Sequence, residues 1–354
     1  MSRLLDPVRS ALYGDEVLQF LDASFRRDTR VLVIGTVGFA EESLYFPARL
    51  AGRPNTDFRY FREMRPDVPA EILRKGQVHE EQLNRVIGTR LVITPLPVCA
   101  PDGAPIAGRG ACKLAAQWLN EAPYSDVVID GTGMSRGTCF PVTKLLIEEG
   151  RRRGVRVHLL LAGSDEGFTS GITSISSDRG DWVHGFQEQT DTDEFAGALK
   201  LWVVQLHEDS RSILERIFSS LQSPEEVCPI VPFPSRDPRR GDRLLMETRQ
   251  LWQGDWGETP MSLIYADDRD PTDVFRTITE LHAARVAALS GARTQSVTIL
   301  SPLGNRLTSV GMLLAALEYK LPMYYLETVG YRVREVETAP RRETPDHRWC
   351  FRFM

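Results

Sequence analysis

Short runs rich in valine, isoleucine and leucine alternate with helix-period segments along nearly the whole chain. RVLVIGTVG (30–38), RLVITPLPV (90–98), DVVID (126–130) and the run VRVHLLLAG (155–163) are apolar on both faces. Such runs suit parallel strands covered by helices on each side. After a polar stretch the pattern begins again, with ALKLWVVQL (198–206), CPIVPFP (228–234), MSLIYADD (261–268) and SVTILSPLG (296–304). The alternation predicts an α/β protein of two Rossmann-like units with mostly parallel sheets. The units are placed at 1–165 and 198–335, joined by a polar connecting segment at 166–197. The tail, 336–354, has no periodicity and is expected to lie over the surface.

The best internal match pairs the fourth strands of the two halves. DVVIDGTGMSRGT and SVTILSPLGNRLTS each run from strand into a short turn with Gly133 or Gly304, then Arg136 or Arg306, then a helix. An internal duplication would leave this pattern, and so would two unrelated α/β units of similar outline.

In an open parallel sheet, ligands bind outside the carboxyl ends of the strands, where strand order reverses. A turn there aims backbone N–H groups and a helix N-terminus at an anion. DGTGMSRGT places Gly131 and Gly133 after Asp130, with hydroxyls on Thr132 and Ser135 and a forked cation on Arg136 suited to phosphate oxygens. The glycine spacing is one residue longer than the dinucleotide fingerprint, and no G-K-[ST] follows to make a Walker A loop. Gly35, Thr36 and Gly38 end the first strand, which in such a sheet flanks the same crevice as the fourth. Both turns read equally as plain strand-to-helix connections. The second half's turns, LHEDSRS and SPLGNRLTS, look less like a phosphate cradle than like a polar-lined pocket, with Ser301, Gly304, Asn305 and Arg306 as candidates.

Composition narrows the classes. Of 354 residues, 42% are hydrophobic and 26% charged, and the formal net charge is −5. Those are values of an ordinary globular protein and give no general signal for direct nucleic-acid binding. The five cysteines are scattered, with no C-x-x-C pair, which argues against a disulfide framework or a zinc site and for a reducing compartment. No signal-peptide-like run opens the sequence and no segment approaches ~18 continuous apolar residues, so the expectation is a cytoplasmic protein without a membrane partner. No metal or cofactor is expected.

Catalytic constellations are scarce. His158 alternates within an apolar strand and reads as a core histidine; His79 lacks the second histidine of a zincin. Gly133-Met134-Ser135-Arg136-Gly137 fits G-x-S-x-G, with a strand before and a helix after, so a Ser135-based hydrolase completed by Asp267 or Asp268 and His282 stays open. His282, however, falls in the middle of a predicted helix.

The turn Ser301–Arg306, the helix GMLLAALEY and the strand end Met323-Tyr324-Tyr325 resemble the ligand-binding region of CRISPR-associated Rossmann-fold sensor domains. The resemblance covers about forty residues. That family's glycine-glycine-threonine-lysine turn is replaced here by Pro302-Leu303-Gly304-Asn305-Arg306, and no R-x-x-x-x-H effector signature follows. The resemblance implies a dimeric nucleotide sensor in prokaryotic antiviral defence. Three readings therefore stand: a sensor or adaptor for a nucleotide or phosphorylated small molecule, acting as a homodimer or complex subunit; a hydrolytic enzyme; or a structural subunit with degenerate sites. Glycine-rich turns without a catalytic cluster favour the first.

Overall fold

The chain enters its first sheet at β1 (Ala11–Tyr13) and passes through α1 (Asp15–Ser24) to β2 (Val31–Thr36), whose residues are all buried. Then come α2 (Tyr45–Leu50), β3 (Thr56–Met64), α3 (Ala70–Ile87), β4 (Leu91–Pro97), α4 (Ala107–Leu119), β5 (Asp126–Asp130), α5 (Arg136–Arg153) and β6 (Arg156–Gly163). These strands are parallel and lie in the order β4-β3-β2-β5-β6. Strand order thus reverses between the neighbours β2 and β5, where a doubly wound sheet opens its crevice. The helix boundaries follow local chemistry: α5 stops at Gly154, whose φ of 71° is left-handed and whose N–H bonds to Gly150 O.

This computed structural model describes residues 10–25, 29–164, 171–187, 197–222, 224–256, 259–291, 295–333 and 345–353. The chain divides into two units, a first of Asp6–Ser176 with Thr328–Met354 and a second built on Ser177–Glu327. It passes between them inside β7 (Ile172–Trp182) and again at the end of the second unit.

The second unit runs through β8 (Leu199–Gln205), α6 (Arg211–Ser220), β9 (Glu226–Pro232), α7 (Arg240–Glu247), β10 (Ile264–Ala266), α8 (Pro271–Leu289), β11 (Ser296–Ser301) and α9 (Arg306–Tyr319). Its sheet is all parallel, in the order β10-β9-β8-β11. A parallel bridge from Leu300 to Met323 places the next stretch of chain beside β11. Both units therefore share one order, with the first and fourth parallel strands adjacent. The fold is α/β with Rossmann-type sheets. Asp270 caps α8, accepting from the backbone N–H groups of Thr272 and Asp273, and Asn305 caps α9, accepting from that of Thr308. The core of the second unit gathers Trp202, Phe218 and Trp256, the last two stacked at 4.3 Å. That of the first gathers Phe46, Phe58 and Tyr60.

Two expectations are corrected. The segment 166–197, read as a polar connection, carries a strand, because β7 lies in it and pairs with β12 (Tyr324–Val333). The tail is not a surface strap: its described part forms β13 (His347–Phe353), antiparallel to β6 on one side and to β1 on the other. HRWCFRF alternates, burying Trp349, Phe351 and Phe353, but Cys350 is buried as well, so the period-two signal is blurred. Residues 165–170, 188–196 and 334–344 of the connecting segment and tail lie outside the described residues.

Candidate functional site

In the first unit the turns after β2 and β5 pack closely against each other. These are the two turns predicted to flank the crevice. A side chain on Gly133 would come within 3.0 Å of Thr36 O, and one on Gly38 within 3.4 Å of the Gly133 Cα. Gly35 faces the ring of Tyr60, which a Cβ would enter at 2.5 Å. These glycines serve close packing of chain on chain.

Several of the donors expected to hold an anion are engaged inside the protein, whereas the buried hydroxyls of Thr36 and Tyr60 have no hydrogen-bond partner. Gly131 N–H bonds to Leu160 O at 2.9 Å, and Thr132 N–H to Asp130 Oδ1 at 3.1 Å. The Thr132 hydroxyl accepts from Ala162 N–H at 3.0 Å. Ser135 donates twice to Glu63 Oε1, from its backbone N–H at 3.2 Å and from its hydroxyl at 2.8 Å. Glu63, at the end of β3, also binds Arg65 at 2.6 Å, and each of these two side chains is only 5% exposed. Burial alone would raise the Glu63 pKa. The Arg65 guanidinium and the hydroxyls of Thr138 and Ser135 outweigh it and hold the carboxyl below its usual range. A protein carboxylate thus sits at the N-terminus of α5, where the sequence suggested a ligand's phosphate. Arg136, the first residue of α5, is half-buried. Nearby, His79 Nδ1 lies 2.9 Å from Gly38 O and ties α3 to the turn after β2. Burial, and secondarily the charge of Asp130, pushes the Tyr60 phenol well above its usual pKa.

The second unit differs. At the carboxyl ends of its strands lies a cavity of about 20 Å³, lined among others by Gln205, Arg240, Asp268, Gly304, Asn305 and Thr308. Gln205 ends β8, and Gly304 and Asn305 follow β11, so the cavity opens at the reversal of strand order. Arg240, the first residue of α7, is spent on carboxylates. Its Nε and Nη2 reach Glu208 at 2.7 and 2.9 Å, and its Nη1 reaches Asp268 Oδ2 at 2.8 Å. Glu208 is pushed up by burial, yet the hydrogen bond and charge of Arg240 bring its pKa down to about 2. Asp268 goes the other way: burial raises it, and Arg240 offsets only part of that.

Two buried polar atoms here lack partners. Gln205 Oε1 accepts from Gly304 N–H at 3.0 Å, which fixes the amide orientation and leaves Nε2 without an acceptor. Asp268 Oδ1 has no hydrogen bond, and Arg269 Nε lies 3.7 Å from it. Gln205 is 2% exposed and Asp268 4%.

Of the residues predicted in this half, Gly304 and Asn305 line the cavity. Asn305 caps α9 and donates to Asp268 O at 2.5 Å. Arg306 is exposed at the start of α9. Ser301 is structural, donating to Tyr324 O at 2.7 Å and accepting from Trp202 Nε1 at 2.9 Å. Gln205, Arg240 and Glu63 escaped the sequence reading. The available signal was a polar residue at the end of an apolar strand, in WVVQ and YFRE. His158 is the core histidine expected, bonded to Asp126 Oδ1 at 2.9 Å. His282 lies within α8, its Nδ1 3.2 Å from Thr298 Oγ1. Ser135 Oγ is hydrogen-bonded to Glu63 and Thr138, not to a histidine.

No protein-family model and no curated protein matches the chain. Among solved structures, a deacetylase triple mutant involved in the teicoplanin biosynthetic pathway is 14% identical, over 44% of this chain and 74% of that one, with a TM-score of 0.27. The cytoplasmic domain of a prokaryotic cation chloride cotransporter is 10% identical over 85% of this chain and 96% of its own, also with a TM-score of 0.27. UDP-GlcNAc 2-epimerase from Neisseria meningitidis is 8% identical over 81% of this chain and 89% of its own, with a TM-score of 0.26. None of these similarities bears on the chemistry of the two crevices. Among the described residues, no helix is long and apolar enough to cross a membrane, and no group of three or more His, Cys, Asp or Glu is placed to hold a metal ion.

Proposed function

We propose that the chain is a sensor or adaptor that binds a nucleotide or another phosphorylated small molecule in the crevice of its second unit. The observation that carries this reading is a cavity at the reversal of strand order, two of whose lining residues, Gln205 and Asp268, each hold a buried polar atom without a partner. A buried polar group without a partner costs ~1–3 kcal/mol, and two such residues around one cavity favour a site completed from outside. The exposed Arg306 at the start of α9 offers a cation for a phosphate outside the cavity. The first unit supplies scaffold, since its own Glu63 occupies the corresponding helix N-terminus. A Ser135-based hydrolase is disfavoured by the same bonds. With the resemblance of its fourth-strand region to CRISPR-associated sensor domains, the reading extends to a homodimer acting in cytoplasmic antiviral defence.

Calorimetric titration with a panel of nucleotides and sugar phosphates tests the binding reading, with sedimentation velocity on the same samples for the dimer. Saturable binding by at least one compound, weakened tenfold or more in Arg306→Ala, is expected. A panel without any binder removes the proposal.

A further inference from the structure

The sheet of the first unit ends on one side in β1, three residues long, and on the other in β4, seven residues long. Among the described residues, no strand pairs with the outer side of β4. A long free edge presents a row of unpaired N–H and C=O groups, a template for a strand of another chain. The apolar surface here adds to that hazard: Val92 is 44% exposed, and Met64, paired with the end of β4, is 52% exposed.

The register shows what this edge offers. β4 runs parallel to β3 from the pair Phe58 and Leu91 to the pair Met64 and Pro97. The N–H of the following residue, Val98, donates to Met64 O at 3.0 Å. Successive residues of a strand turn their backbone N–H and C=O groups to opposite sides. Those of Val92, Thr94 and Leu96 therefore point with Val98 toward β3, and those of Leu91, Ile93, Pro95 and Pro97 point outward. The Leu91 N–H is already bonded to Gly88 O. Pro95 and Pro97, both exposed, have no N–H to give. Among the outward positions only Ile93 presents a free donor. A register shifted by one residue would turn both prolines toward β3 and remove two ladder bonds, so the sequence accepts them only on this side.

We infer that β4 is a protected edge: Pro95 and Pro97 strip its outer side of donors and keep a further strand from joining the sheet there. Two copies of this chain that associate do so through another surface. The inference does not depend on the ligand reading above.

Sedimentation velocity from micromolar to submillimolar concentrations tests this on the full chain, with circular dichroism to confirm that each variant is folded. Pro95→Val combined with Pro97→Val returns two outward donors and leaves the bonds to β3 in place. The double variant should self-associate more tightly than wild type by about tenfold or more, the effect of two added backbone hydrogen bonds. Adding Val92→Lys, which sets a charge on the exposed edge, should reverse the gain. The two single variants, each restoring one donor, carry the same test if the double one does not fold. A folded variant that associates no more than wild type overturns the inference, because the missing donors would not be what keeps the edge free. So does a wild-type dimer that Val92→Lys alone dissociates, since β4 would then already be an interface. A wild-type dimer indifferent to Val92→Lys is the result expected of a contact made elsewhere.

Discussion

Glu63 occupies the place where an external anion was expected, and its role is to be measured through stability. Glu63→Ala would strand Arg65, which is 5% exposed on its side chain, without its carboxylate. Breaking a buried pair in this way costs about 3–5 kcal/mol, read as a lower urea midpoint. The pH dependence has a definite sign. The folded pKa of Glu63 lies below its unfolded value, so its contribution is complete above the unfolded pKa and is lost as pH falls through the folded one. Glu63→Gln should therefore be less stable than wild type near neutrality and converge with it in acid. Ser135 and Glu63 are 72 positions apart. DGTGMSRGT was legible as a turn able to cradle an anion, but its occupant comes from another strand and could not be read from the motif.

At the level of elements, α9 is buried over most of its length, from Leu307 to Leu317. Its sparse charge is accounted for by burial within one chain. The reason for its one interior glycine is close contact with α8: a Cβ on Gly311 would meet Pro271 O at 2.5 Å and Val274 Cβ at 2.6 Å. Gly311→Ala should push the helices apart and cost roughly 1–3 kcal/mol, despite alanine's better helix propensity. Thermal denaturation checks this, and a variant as stable as wild type would show that the helices shift freely. Strand positions were mostly legible, because runs apolar on both faces occur where helices cover both sides of the sheet. Exceptions fall at edges: MSLIYADD holds a strand only at Ile264–Ala266, since β10 pairs on one side with β9 and exposes Tyr265.

Across the whole molecule, the first unit depends on chain from both ends. β13 pairs with β6 and β1 pairs with β13, so a chain ending before Asp346 loses one strand and the partner of another. At ~2–4 °C per kcal/mol for a domain of this size, loss of about 3–5 kcal/mol should lower the melting temperature by roughly 6–20 °C. Differential scanning calorimetry reads it; an unshifted transition would mean that β13 contributes no net stability. The repeated strand order of the two units fits the duplication suggested by their fourth strands, although the first has the Glu63 carboxylate bonded to Ser135 at its turn and the second a cavity lined by Gln205 and Asp268.

The order of hydrophobic runs by itself determined the fold class and the two-unit outline, because burial on both faces writes a continuous apolar strand whatever its partners. It also located the turns at the carboxyl ends of β2, β5 and β11, since glycine, serine and threonine after such a run are local signals. Which residues meet at each turn was decided by tertiary structure. Glu63 reaches the first crevice from β3, while Gln205 from β8 and Asp268 from beyond β10 meet in the second. Those encounters depend on strand order and register, and hydrogen-bond partners brought from distant strands leave no periodicity in the chain.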